Sequence, residues 1–293
     1  MVSEAEIKRQ VRDFYDQVGW QEVSEGCYQN AAYEDLRPVS SEYIHRCHLR
    51  LLRHLKADGR CLLDAGCGPI QYPEYLEYSR GYNFRVCADI SFVALLEARK
   101  RIGAHGLYVV ADIARLPFED DVFDGVVSLH TIHHLHPEEH LRAYQELHRT
   151  LARDSSAIIV NGWDNPPLTV LTNWLIHLIE KLYRIIKPPA NNSQGIGKSD
   201  RLPVEIQHQS QTGTYVRKHD ARWLAKEVGS RMPVQIWCWR SVSVRLLRTL
   251  IHEKWGGRVL LRGLFWLEEH MPHFFGKYGQ YPLIVIHKTA GKQ

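Results

Sequence analysis

An apolar run that ends in an acid and is followed by two glycines, Cys61-Leu62-Leu63-Asp64-Ala65-Gly66-Cys67-Gly68-Pro69, is the segment best able to hold a ligand. A buried strand ending this way turns tightly, and glycine lets a ligand come close to the backbone. In the next apolar run, Cys87-Ala88-Asp89-Ile90-Ser91, Asp89 stands where one carboxylate can take both hydroxyls of a ribose. Asp112 closes a third run in Val110-Ala111-Asp112-Ile113. Acids at the carboxyl ends of neighbouring strands line the edge where open α/β sheets bind ligands, and this spacing suits an adenosine. A nicotinamide dinucleotide is the competing ligand, and an NAD(P)-dependent oxidoreductase the competing enzyme. The third glycine of that fingerprint would fall at Gln71, so the motif is incomplete. A carboxylate at Asp64 also suits an amino group better than a pyrophosphate.

Histidines form the second chemical resource: His130, His133, His134, His136 and His140 follow the fourth apolar run. Imidazole titrates near neutral pH, which makes His133 and His134 candidate general bases toward an acceptor that must lose a proton. His136 and His140 have helical spacing. The stretch nevertheless lacks H-E-x-x-H and a cysteine pair and turns from strand to helix, so no metal site is expected. Aromatic residues Tyr15, Trp20, Tyr28 and Tyr33 cluster near the N-terminus, and ring faces attract cations. Asn161, Trp163 and Asp164 follow the fifth run and are expected at the same edge.

These residues need a frame to bring them together. Short apolar runs at 61–63, 84–88, 107–110, 125–129 and 157–160 suit parallel strands buried on both faces. Helical spacing between them covers 91–102, with Ser91 as N-cap, and 137–152. Alternating strands and helices predict a doubly wound α/β sheet. Helical patterns at 4–18 and 42–55 predict an N-terminal cap over residues 1–57, followed by a ligand-binding core over 58–165. Residues 166–213 read as an amphipathic helix and a long loop rich in Pro, Gly, Ser, Asn and Gln. Residues 214–293 complete the sheet with strands near 234–239 and 282–287 and carry a helical insertion.

Composition excludes several classes. With 44% hydrophobic and 24% charged residues the chain is globular, and a formal charge of +4 without a basic block argues against a nucleic-acid partner. Six cysteines without a C-x-x-C pair fit a reducing compartment, and no secretory signal is visible near Met1, so a cytoplasmic location is expected. The 168–186 helix holds too many polar residues to span a membrane. Its apolar side, with Leu171, Leu175 and Leu178, and its basic end could touch a membrane surface or roof an apolar pocket, though a core-facing role is the plainer expectation. The sequence sets no oligomeric state.

The motifs together resemble the class I S-adenosylmethionine-dependent methyltransferases of the small-molecule branch. The resemblance rests on D-A-G-C-G-P at Asp64 to Pro69, A-D-I-S at Ala88 to Ser91, A-D-I-A-R-L-P-F at Ala111 to Phe118, and F-D-G-V-V-S-L-H-T-I-H-H-L at Phe123 to Leu135. It implies a seven-stranded Rossmann-like sheet with an antiparallel last strand, and S-adenosylmethionine as cofactor. By this likeness Asp64, Gly66, Cys67 and Gly68 border the methionine part, Asp89 binds the ribose and Ile90 packs on the adenine. Asp112 and Ile113 read the adenine amine, His130 lines the methyl end, and Tyr15 belongs to a lid. A small acceptor is the implied substrate, and Trp255, Phe265, Trp266, Phe274 and Phe275 in the C-terminal part make an apolar or aromatic one the expectation. A non-catalytic cofactor-binding partner protein is a further alternative.

Overall fold

The computed structural model describes residues 3–20, 34–186 and 214–289, with a short antiparallel ribbon, Glu22–Ser24 paired with Cys27–Tyr28. Tyr33 and the 187–213 loop lie outside the described residues. Seven strands form the sheet: β1 (Gly59–Ala65), β2 (Tyr82–Asp89), β3 (Gly106–Val110), β4 (Phe123–Leu129), β5 (Leu151–Val160), β6 (Val234–Arg240) and β7 (Tyr281–Lys288). Their order is β3-β2-β1-β4-β5-β7-β6, and β7 runs antiparallel to both neighbours. All five apolar runs of the core are strands. The expected helix at 137–152 stops at Thr150, because Leu151 and Ala152 already belong to β5.

Helices begin where the chain supplies acceptors for their free N–H groups. Ser3 and Ser91 cap α1 (Glu4–Phe14) and α3 (Phe92–Ile102) with side-chain oxygens. Proline opens α2 (Pro38–His48) and α4 (Pro137–Thr150), where its missing N–H costs nothing. On one sheet face Leu63, Val86, Val126 and Ile159 meet Ala143, Tyr144 and Leu147 of α4. On the other, Leu62, Val127, Ile158 and Leu283 meet Leu51, Tyr78 and Trp239. The 168–186 pattern is helix α5 (Pro167–Ile186), but its apolar side does not face the core. Ile176 is fully buried, whereas Leu171, Trp174, Leu175 and Leu178 are exposed. In the C-terminal insertion, α6 (Val244–Leu250), α7 (Gly257–His270) and α8 (Pro272–Tyr278) precede β7. Among the described residues no helix is long and apolar enough to cross a membrane.

The ligand edge of the sheet rests on a buried ion pair. Arg85 of β2 donates from Nε and Nη2 to Asp64 Oδ2 at 3.1 and 2.5 Å, and from Nη1 to the Tyr75 carbonyl. Both side chains are almost fully enclosed. Removing one partner of such a pair leaves a buried charge alone, while removing both costs far less. Arg85→Met should therefore lower unfolding free energy by about 3–5 kcal/mol in urea titration, and the Arg85→Met/Asp64→Leu double variant should recover most of it.

Candidate functional site

The turn after β1 makes the floor of a cavity of about 440 Å³ at the carboxyl edge of the sheet. Gly66 and Gly68 have φ of 76° and 55°, a region that side chains disfavour. A Cβ on Gly66 would fall 2.2 Å from Thr131 Cγ2, and one on Gly68 would press on the Trp20 ring at 3.2 Å. The glycines thus let the Thr131 segment and Trp20 close on the loop. Gly66, Cys67, Gly68, Asp64, Asp89, Ile90, Asp112, Ile113, His130, His133, His134 and Tyr15 all border the cavity, whereas His136, His140, Trp163 and Asp164 do not.

Asp89 is the central acid. Gly68 N–H donates to Oδ2 at 2.9 Å and Ser91 N–H to Oδ1 at 2.8 Å, leaving each oxygen further lone-pair capacity. Burial pushes its pKa up to about 6, against the pull of those two donors. Asp64 differs from the expectation of a carboxylate held ready for an amino group, since Arg85 already occupies its Oδ2. Asp112 is engaged too: Oδ1 accepts from Ala114 N–H, and Oδ2 from Lys8 Nζ at 2.6 Å. Lys8 reaches in from α1 and also contacts Glu139, a link that no local motif announces.

The histidines are held in defined tautomers. His134 Nδ1 lies 2.8 Å from the Tyr215 carbonyl, which can only accept, so Nδ1 carries the proton and Nε2 accepts the Tyr15 hydroxyl at 2.9 Å. Tyr15 also stacks on Trp20, with ring centroids 4.8 Å apart. His134 therefore ties down the N-terminal segment. His133 Nδ1 lies 3.2 Å from Asn161 Oδ1, which leaves Nε2 as its lone-pair nitrogen on the cavity wall. Burial lowers the pKa of all three cavity histidines, His133 well below its ordinary value, His134 to about 4 and His130 to about 3, so each is neutral near pH 7. His136 caps α4, and His140 donates to the Leu135 carbonyl.

Residues after β5 divide. Asn161 orients His133, and Gly162 lines the cavity. Trp163 points away from substrate space into the core, its indole N–H bonded to the Gly276 carbonyl, and Asp164 is exposed. The motifs did not single out Glu34, Tyr72, Lys218, Arg240 and Tyr281, which close the far end of the cavity. Glu34 and Arg240 form a buried ion pair that holds the Glu34 carboxyl down at about 2.

Comparison with known proteins agrees with this architecture. Residues 63–159 match the family model described as a methyltransferase domain. Over 103 residues, 34% of this chain, it is 35% identical to malonyl-(acyl-carrier protein) O-methyltransferase of Legionella pneumophila, covering 36% of that protein. Over 133 residues, 44% of this chain, it is 26% identical to a probable tRNA methyltransferase 9B of Mus musculus, covering 28% of that protein. The chain thus spans about a third of the length of the curated relatives it matches. Among solved structures, geranyl diphosphate C-methyltransferase of Streptomyces coelicolor is similar with a TM-score of 0.51 and 15% identity, over 97% of this chain and 98% of that one. Phosphoethanolamine N-methyltransferase 1 of Haemonchus contortus is similar with a TM-score of 0.57 and 9% identity, over 99% of this chain and 51% of that one. Such distant likenesses speak for the fold alone. Strand order, the acids at the strand ends and the match over residues 63–159 agree, and together they support a class I S-adenosylmethionine-dependent methyltransferase domain in this segment.

Proposed function

We propose that this protein transfers the methyl group of S-adenosylmethionine to a small acceptor bound at the far end of the cavity. Asp89 carries the proposal: a buried carboxylate, fixed by one backbone donor on each oxygen, suits a vicinal diol. Ile90 and Ile113 offer apolar surface beside it, and Asp112 offers an acceptor for an amine. When bound, the sulfonium cofactor supplies an electrophilic methyl group.

The chain's own contribution is placement and exclusion of water. Tyr15, Trp20 and Phe14 cover the cavity from the N-terminal segment, and their ring faces favour a positive charge. His133 Nε2 accepts the proton of a hydroxyl or N–H acceptor, while Asn161 holds the ring. Burial keeps its ring neutral near pH 7, the form that can accept a proton, while weakening it as a base. The rings of Tyr72, Tyr75 and Tyr281 support an aromatic acceptor. The five cysteines whose side chains are described are unpaired, which supports a cytoplasmic location.

Calorimetric titration tests the reading, with S-adenosylmethionine, its demethylated product S-adenosylhomocysteine, and NADH in parallel. Micromolar binding of the first two alone is expected; binding of NADH alone, or of none, would sink it. Asp89→Ala should weaken S-adenosylhomocysteine by about 1–3 kcal/mol, and an unchanged affinity would remove Asp89 from the ribose.

Acid pH provides a separate check. A folded-state pKa raised from 3.8 to about 6 means that ionising Asp89 opposes folding: its stabilising contribution is complete below the ordinary carboxylate range and is lost as pH rises through about 6. Ligand binding responds in the opposite sense, because the diol needs the carboxylate. S-adenosylhomocysteine affinity should fall as pH drops below about 6. In Asp89→Asn that inflection should vanish from the calorimetric pH series.

A further inference from the structure

The far end of the cavity contains a cation that forms no ion pair among the described residues. Arg240 there is neutralised by Glu34, and burial keeps His130 and His133 uncharged. Among the described residues Lys218 Nζ makes no hydrogen bond or ion pair, and Asp164 acts on it only through space. Asp164 is exposed, where water and salt weaken its field.

Lys218 is held at the cavity from both sides. The N–H of Arg217 donates to the His133 carbonyl at 2.7 Å, and the His219 carbonyl accepts from Asp164 N–H at 2.9 Å. Between these anchors the lysine stem crosses Gly162. A Cβ on that glycine would stand 3.6, 3.2 and 3.0 Å from Lys218 Cδ, Cε and Nζ. The missing side chain at 162 is what leaves the amine its path beside His133. Burial works against the ammonium form and lowers its pKa, a cost that a bound anion would offset.

From this pinned, unpaired lysine beside His133 we infer that the methyl acceptor carries an oxyanion, a carboxylate or a phosphate, and that Lys218 is its counter-ion. The inference rests on the methyl-transfer reading and narrows its acceptor from any small aromatic to an acidic one. The ammonium places the acceptor through one charge-assisted bond. Neutral analogues forfeit that bond and leave the half-buried lysine without a partner.

Benzoate, phenyl phosphate and phenol, titrated calorimetrically with and without saturating S-adenosylhomocysteine, test this. At least one anion should bind more tightly than phenol, by about tenfold or more, and which one does so separates carboxylate from phosphate. Lys218→Met should abolish that preference and Lys218→Arg should keep part of it, with S-adenosylhomocysteine affinity unchanged in both as the check on folding. Phenol binding as well as the anions would overturn the inference, as would an anion preference that survives Lys218→Met or the failure of both anions to bind. Failure of S-adenosylhomocysteine to bind the unaltered protein would instead count against methyl transfer itself, and the titrations without it would still decide the role of Lys218.

Discussion

The Asp64–Arg85 pair is the constraint on which the ligand edge depends. It joins β1 and β2 on one sheet face, directly before the turn that carries Gly66 and Gly68, and Arg85 also fixes the Tyr75 carbonyl. A charge pair this buried adds little net stability, but it tolerates few alternative arrangements, since any shift leaves a charge unpaired. The turn inherits that definition: Gly68 N–H can serve Asp89 only if the ends of β1 and β2 stay in register.

Charge then divides the cavity into two halves. Near β2 and β3 the polar groups are the acids Asp89 and Asp112, the second of them shared with Lys8. Beyond β4 and β5 the histidines are neutral, Arg240 and Glu34 cancel, and Lys218 leaves a net positive charge. A cationic cofactor and an anionic acceptor would meet between the two halves, each near the charge that favours it. The apolar and aromatic surface between them lowers the local dielectric and strengthens both interactions.

What could be read in advance was whatever the chain encodes locally. The strand-end acids and the two glycines stand on single short segments, and alternating strands and helices were sufficient for the sheet. Lys8 with Asp112, Tyr15 with His134, and Lys218 beside Gly162 were not readable. Their partners lie 104 and 119 positions apart in the first two cases, and a lone lysine in a polar stretch has no periodicity. Trp163 was misplaced because a residue just past a strand can still turn inward, here toward the Gly276 carbonyl. The α5 helix showed the right period without the right burial, since amphipathicity reports an apolar side but not what covers it.

The ties of α1 and the turn after it fall on groups that the site itself uses. Lys8 binds the acid proposed for the adenine amine, and Tyr15 binds the histidine next to His133. Asp16 accepts from Ser91, whose own N–H holds Asp89. A segment anchored this way cannot lift without changing the hydrogen bonding of Asp112, His134 and Ser91 together. A ligand that competes for Asp112, or that packs under Tyr15 and Trp20, would have to keep or replace these three contacts, and by linkage its affinity would carry the difference.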